Sequence, residues 1–233
     1  EEWVRWCYEE TRKKVPELPD FETFWKNGLA KVWHYRKDPL ALEGFRKDPE
    51  KHPLKTPSGR IEIYSERLAK ETADWVLAEG DQITPLPQYW RTWDMPGDPA
   101  AAKKYPLQCF GFHGHGRIHS TFHNLPRLRS LHPDAVYLNP VDAAPRGIAD
   151  GDLVEVFNDR GVVQLPCRVT PRIMPGVVTI PQGAWYKPEM IGGVRVDVGG
   201  CINTLTNHRP SPYAKGNAQH NILVDVRRAP QAK

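Results

Sequence analysis

The sequence predicts a mainly β protein, with a closed barrel or sandwich of five or six short strands in the second half and an irregular α+β region before it. Three observations carry this reading. Proline occupies 23 of 233 positions, about twice ordinary usage, which favours turns over long helices. In the second half short apolar runs alternate with glycine turns and leave room for one small helix. Tryptophan divides the chain, because Trp3, Trp6, Trp25, Trp33, Trp75, Trp90 and Trp93 precede residue 94 and only Trp185 follows.

Taken in order, Trp3 to Lys14 reads as a helix stopped by Val15-Pro16, and Asp20 caps a second over Phe21 to Asn27 that ends at Gly28. Asp38-Pro39, Asp48-Pro49, His52-Pro53 and Thr56-Pro57 then exclude a continuous helix, since each residue before proline is pushed out of the helical region. Pro57-Ser58-Gly59 is a turn, Arg60 to Tyr64 alternates as a half-buried strand, and Ser65 caps a short helix from Glu66. Asp81 to Pro106 is proline-punctuated and reads as the linker.

Beyond it, Leu107 to Phe112 and Ala135 to Leu138 are strands, and Asn139 caps a helix from Pro140 to Arg146 that ends at Gly147. Leu153 to Phe157 and Val162 to Val169 form a hairpin through Asn158-Asp159-Arg160-Gly161, with Gly161 suited to a left-handed position. On the return strand Val163, Leu165, Cys167 and Val169 share one face at period 2, which makes Cys167 a small core hydrophobe. Val177 to Ile180 and Asn221 to Val226 complete the strands, and a frayed tail follows.

Composition excludes several classes. With 39% hydrophobic and 26% charged residues, a mean hydropathy of -0.59 and no apolar run near the roughly 20 residues that span a bilayer, the chain has no transmembrane helix. The net charge of +4 is not gathered into a basic block, so no nucleic-acid partner is expected. Cys7, Cys109, Cys167 and Cys201 contain no C-x-x-C pair, so no zinc ribbon or iron-sulfur motif lies in this segment. The chain opens at Glu1 with neither methionine nor leader and reads as part of a processed or longer protein.

The densest chemical constellation is His113-Gly114-His115-Gly116-Arg117-Ile118-His119-Ser120-Thr121-Phe122-His123, which holds four of the nine histidines directly after a strand. As metal chemistry, His113 with His115 and His119 with His123 have a spacing compatible with zinc, but no carboxylate sits among them to orient the rings. As a cofactor cradle, Gly114 and Gly116 admit a close ligand, and Arg117, Ser120, Thr121 and the amides opening a following helix suit phosphate or a fused polar ring. A solvated polar loop is the third reading. Pro181-Gln182-Gly183-Ala184-Trp185-Tyr186 offers an amide, a flexible glycine and a flat ring, although a buried structural Trp185 is the plainer account. Gly199 to Thr206, with Lys215-Gly216-Asn217 behind it, is a long polar loop of the kind that binds ligands. Cys201 has no histidine and acid placed to make it a nucleophile, and Asp150, Asp152 and Asp197 read as turn and cap residues.

Several of these runs recur together: Gly116-Arg117-Ile118-His119-Ser120, Asn139-Pro140-Val141-Asp142-Ala143, Gly147 through Val156, Asn158-Asp159-Arg160-Gly161, Gln182 to Tyr186 and Asn203-Thr204-Leu205-Thr206. In this order and spacing they resemble the C-terminal molybdopterin-dinucleotide-binding domain of the dimethyl sulfoxide reductase family, above all the catalytic subunit of its anaerobic, membrane-anchored members. The resemblance runs from about residue 50, because Lys55 to Ser65 is similar to the stretch that precedes the domain.

The resemblance implies a six-stranded double-psi β-barrel over 101–233, with 1–100 the remnant of a neighbouring domain and a linker. It implies a molybdenum-bearing molybdopterin guanine dinucleotide, cradled by Gly114, Gly116 and Gly183. Arg117, His119, Ser120 and Thr121 would lie at the pterin or its phosphates, Gln182 and Trp185 at the pterin, and Asn203, Thr206 and Asn217 in the closing loop. The parent would be an S-oxide or N-oxide reductase of anaerobic respiration. Its 4Fe-4S cluster would lie upstream, its partners would be an iron-sulfur electron-transfer subunit and a membrane anchor subunit, and its place the periplasmic face of the bacterial inner membrane. No residue of this segment would be catalytic or a metal ligand, and the segment alone would be inactive. The alternative is a stand-alone double-psi barrel used as a protein-interaction module, and a third class, a histidine-metal hydrolase, would carry stoichiometric zinc.

Overall fold

A computed structural model of the protein describes residues 1–32, 40–91, 93–95, 99–217 and 220–230. The Asp38-Pro39 turn lies outside them. The chain divides into two compact units, Glu1–Ile63 and Tyr64–Lys233.

The first unit forms from local signals. Helix α1 (Glu2–Lys14) stops before Val15-Pro16, and helix α2 (Phe21–Asn27) falls where its caps place it: the Asp20 side chain accepts from Thr23 N, and Gly28 ends α2 at φ +67°. Tyr8, Phe21 and Phe24 pack between them, with Tyr8 stacked on Phe24 at 4.4 Å. A one-turn helix α3 (Glu43–Lys47) follows. The expected strand at Arg60 to Tyr64 does not form. Its alternation has no ladder partner, Ile61 and Ile63 are 67% and 69% exposed, and Leu54 N donates to Gly59 O within a local turn.

In the second unit Ser65 caps helix α4 (Glu66–Glu71) by accepting from Leu68 N, and helix α5 (Pro99–Lys104) lies inside the expected linker. That stretch is tied to the barrel. Asp81 pairs with Arg209 at 2.7 Å, Asp94 with Arg160 at 3.1 Å, and Lys104 and Tyr105 both reach Asp159.

The strands are β1 (Leu107–Phe112), β2 (Val136–Leu138), β3 (Leu153–Asn158), β4 (Gly161–Val169), β5 (Val177–Pro181), β6 (Pro188–Ile191), β7 (Val194–Asp197) and β8 (Ile222–Arg228). Their order is β2-β5-β1-β8-β3-β4-β7-β6, and a further β2–β4 pairing closes the first six into a mixed barrel. β1–β5 and β2–β4 are parallel, while β1–β8, β2–β5, β3–β4 and β3–β8 are antiparallel. Closure removes the edges that an open sheet would expose. The interior is aliphatic, with Cys109, Val136, Leu138, Val154, Val156, Val163, Val178, Ile180, Ile222 and Val224 wholly buried, and each such valine, leucine or isoleucine contributes about 1.5–3 kcal/mol. Cys167 is buried at 3% on the face that period 2 assigns it.

Asn139 caps helix α7 (Pro140–Ala143) by accepting from Val141 N, and a 3-10 turn over Ala144–Arg146 ends at Gly147 with φ +61°. Three features depart from expectation. Gly161 has no positive φ; a Cβ there would lie 2.6 Å from Thr204 Cγ2 and 3.0 Å from Thr204 O, so close approach and not turn geometry demands glycine. The tail is pinned to Ala229, whose N–H donates to Leu153 O. The hairpin β6–β7 lies outside the barrel, joined by the single pair Val163↔Asp197. Its two-residue turn, Gly192 at φ +58° and Gly193 at +82°, is a glycine-pair hairpin signal that its mostly exposed strands masked. Among the described residues no helix is long and apolar enough to cross a membrane.

Candidate functional site

β1 and β5 run parallel and in register to their last residues, Phe112 opposite Pro181, so the chain leaves both strands side by side at one end of the barrel. Gln182 N donates to Phe112 O at 2.9 Å, which carries the ladder one step further. The two loops that emerge, 113–125 and 182–187, are the two densest motifs of the sequence.

No helix opens directly behind the glycines. Ile118 and Thr121 exchange backbone hydrogen bonds across a two-residue turn with His119 at φ +49°, and helix α6 (Pro126–Leu131) starts later. The turn keeps the Ile118 and Thr121 amides for itself, so the expected helix N-terminal cradle and the shared helix face of His119 and His123 are both absent. Gly116 is held by packing, since its Cβ would lie 3.0 Å from His132 Cβ, while Gly114 has only Pro181 Cβ at 3.8 Å.

Loop 182–187 seats on loop 113–125 by several contacts. Gly183, at φ +89°, lies so close to His119 that a Cβ would stand 1.9 Å from its carbonyl oxygen. Gln182 Nε2 is 3.3 Å from His119 Nδ1. The Trp185 indole Nε1–H donates to Ser120 O at 2.9 Å, and Trp185 N donates to His123 Nδ1 at 3.2 Å. The Trp185 side chain is half exposed, which overturns the buried structural reading. His113, His119, Ser120 and Thr121 are exposed beside it, with His113 edge-on to His119 at 5.2 Å.

Arg117 is not a surface cation. Its Nε donates to Gln182 O at 2.8 Å, one terminal nitrogen to Pro181 O at 3.1 Å and the other to Asp134 Oδ2 at 2.8 Å, with the side chain 6% exposed. Asp134 also stands 3.4 Å from His123 Nε2, supplying from beyond α6 the carboxylate that the histidine run lacks. Burial first, then the neighbouring Arg117 charge, lowers the pKa of His123, and Asp134 opposes them. Sequence reasoning missed Asp134, whose only local signature is the turn-like Pro133-Asp134. Among the described residues no group of three or more His, Cys, Asp and Glu side chains is arranged to hold a metal.

The third loop is organised by Asp197, 1% exposed. Its Oδ1 accepts from Lys187 N and Gly199 N, and its Oδ2 from Cys201 N at 2.6 Å. A Cβ on Gly199 would lie 2.0 Å from Trp185 O, so this loop packs directly on the second. The 3-10 turn Ile202–Leu205 follows, with Ile202 Cδ1 3.5 Å from the Cβ position of Gly111. Asn203 is exposed, whereas Thr206 is buried and its hydroxyl donates to Asn203 O. Asn217 sits on the exposed 210–217 loop, bridged to Pro210. The structure therefore brings 114–121 and 182–185 together, sets 199–206 beside them, and places Asn217 on a loop of its own.

Residues 107–223, the barrel with its three loops, match the family described as the molydopterin dinucleotide binding domain. The chain belongs to this family. It is 51% identical over 228 residues to dimethyl sulfoxide reductase DmsA of Haemophilus influenzae, covering 98% of this chain and 28% of that protein. Dimethyl sulfoxide/trimethylamine N-oxide reductase of Cereibacter sphaeroides is 35% identical over 237 residues, 96% of this chain and 27% of the relative. Acetylene hydratase from Pelobacter acetylenicus shares the fold at a TM-score of 0.61 and 24% identity, over 78% of this chain and 25% of that one. The chain thus spans little more than a quarter of the relatives' length.

The donor set suits a molybdopterin dinucleotide. The largely buried Gln182 amide, the exposed His119 ring, the half-exposed Trp185 indole and the hydroxyls of Ser120 and Thr121 meet at one barrel end. Flat faces beside polar groups of both senses fit a fused, hydrogen-bonding ring with a diphosphate tail.

Proposed function

We propose that this domain forms one wall of the cofactor cleft of a molybdenum-dependent S-oxide or N-oxide reductase and holds a molybdopterin guanine dinucleotide there. The observation that carries the reading is the seating of the Gln182–Trp185 loop on His119 and Ser120 within the matched segment. Bound, the cofactor supplies two-electron redox chemistry at molybdenum. The chain's own part is to bind and orient. Gln182 and His119 offer hydrogen bonds to the pterin edge, Trp185 a face for stacking, and Ser120 and Thr121 hydroxyls for phosphate, with Asn203 and Thr206 at the adjoining loop and Asn217 closing over the nucleotide. Gly114 leaves the backbone open to close approach, Gly116 seats the loop on His132, and Gly183 allows the loop contact that aims Gln182.

On this reading 101–233 is the cofactor domain and 1–100 a part of its neighbour in a longer chain, with 64–100 the linker that packs in the barrel's own unit, and the chain's other domains cover Trp3, Trp6 and Trp25, now 72%, 55% and 51% exposed. The 4Fe-4S cluster, the iron-sulfur and anchor subunits and the periplasmic location belong to that parent, and the segment by itself turns over no S-oxide. A single wall binds free ligand weakly, because the rest of the cleft is missing.

The test is an amide and indole NMR titration of the chain with a reduced pterin and, separately, with GDP. The pterin is expected to shift the Gln182 side-chain amide and the Trp185 indole resonance, and Gln182→Ala is expected to abolish the response. Saturating pterin and GDP that leave 113–121, 182–185 and 199–217 unmoved would overturn the proposal.

A further inference from the structure

Three charged or polar residues beside the two loops line a small cavity and bond to this chain's own groups. Arg117, Asp134 and His123 are all buried or nearly so, with side chains 6%, 12% and 6% exposed, yet between them they grip both ends of the Pro181–Trp185 segment. Arg117 holds the first two carbonyls of the segment, Pro181 O and Gln182 O, and is itself fixed by Asp134. His123 holds the far end by accepting the Trp185 N–H at Nδ1. A planar guanidinium matches two adjacent carbonyls and a carboxylate at once, which a lysine ammonium cannot do.

We infer that Arg117, Asp134 and His123 form a buried brace that sets the position of the Gln182–Trp185 loop, and that they are positioning residues, not ligands. The inference rests on the proposed cofactor role only in what the braced loop is for; the brace itself involves this chain's residues alone. It assigns Arg117 a task different from phosphate contact. It also defines the state of His123: an Nδ1 that accepts must be unprotonated, so the neutral ring carries its hydrogen on Nε2, toward Asp134. A second proton would convert Nδ1 from acceptor to donor and set two N–H groups against each other. The charged groups that face the ring are Arg117 and Arg129, which oppose that proton, and Asp134, which favours it.

The test follows the Trp185 backbone N–H and indole Nε1–H resonances of the full chain, with the His123 ring nitrogens read in the same sample. At neutral pH His123 is expected as the Nε2–H tautomer. Both Trp185 signals should then move together with the His123 titration as pH falls. His123→Asn, whose Oδ1 takes the place of Nδ1 and does not titrate, should keep the Trp185 shifts near those of the parent and remove their pH dependence. His123→Gln, which places its amide at the Nε2 position, should displace them at every pH. Arg117→Lys should displace the Gln182 amide even though the charge is kept. An Nδ1–H tautomer, or Trp185 signals indifferent to His123 titration, overturns the brace, and this measurement on the unsubstituted chain decides the matter if a variant fails to fold. A Trp185 response without any pterin-induced shift upholds the brace and fails the cofactor reading; a pterin shift without the Trp185 response does the reverse.

Discussion

Replacing Gly183 with alanine puts a methyl group where the His119 carbonyl already is. The new Cβ stands 1.9 Å from His119 O and 2.3 Å from its carbon. Ordinary contact begins near 3.4 Å, so the loops must separate by about 1.5 Å, since repulsion at this range is steep. Such a movement takes the Gln182 to His119 bond (3.3 Å), the Trp185 indole to Ser120 bond (2.9 Å) and the Arg117 to Gln182 bond (2.8 Å) out of range. Each is worth about 0.5–1.5 kcal/mol net, which adds some 2–4 kcal/mol to the strain of placing a side chain at φ +89°, itself about 1–3 kcal/mol. Gly151 separates the two effects, because it has nearly the same φ, +87°, with nothing within 4 Å of its Cβ position. Gly151→Ala therefore reports strain alone. Urea unfolding of both variants, followed by the Trp185 indole resonance, should show Gly183→Ala less stable than Gly151→Ala by about 2–4 kcal/mol. Equal losses in the two would refute the argument that close approach, and not conformation, requires glycine at 183.

Asp197→Ala leaves the N–H groups of Lys187, Gly199 and Cys201 without their shared acceptor; a loss on the order of 3 kcal/mol or more is expected in denaturant titration, with accelerated amide exchange confined to 187–206. Burial pushes the Cys109 thiol up to about 12 and Cys167 to about 11, and raises Cys201. An aromatic disulfide reagent should thus modify exposed Cys7 first, Cys201 slowly, and Cys109 and Cys167 only once the chain unfolds; rapid reaction of all four in the folded chain would contradict the core assignment. His123 has a folded pKa below its ordinary 6.5, so on acidification the unfolded chain takes up this proton first. Its contribution to stability, complete above about pH 6.5, should fall as pH drops from there toward the folded value and then level off, and the fall should vanish in His123→Asn.

The sequence by itself determined what depends on neighbours along the chain. Asp20, Ser65 and Asn139 cap the helices assigned to them, because a cap needs only a side-chain oxygen and an amide two or three residues on. The inward face of β4 follows from the two-residue period of an extended chain, and the recurrent motifs carried the family. Tertiary structure decided whatever needs a partner from far along the chain. Arg60 to Tyr64 alternates like a strand and is none, because no strand lies beside it to complete a ladder. Gly161 is required by Thr204, Gly183 by His119 and Gly199 by Trp185, distances of contact that no local rule contains. Arg117 reads as a phosphate or pterin contact in sequence and is a buried tie to Asp134, Pro181 and Gln182 in the fold. A charge is advertised by its residue type, but whether it meets solvent, ligand or its own backbone is set only when the barrel closes and brings the ends of β1 and β5 together.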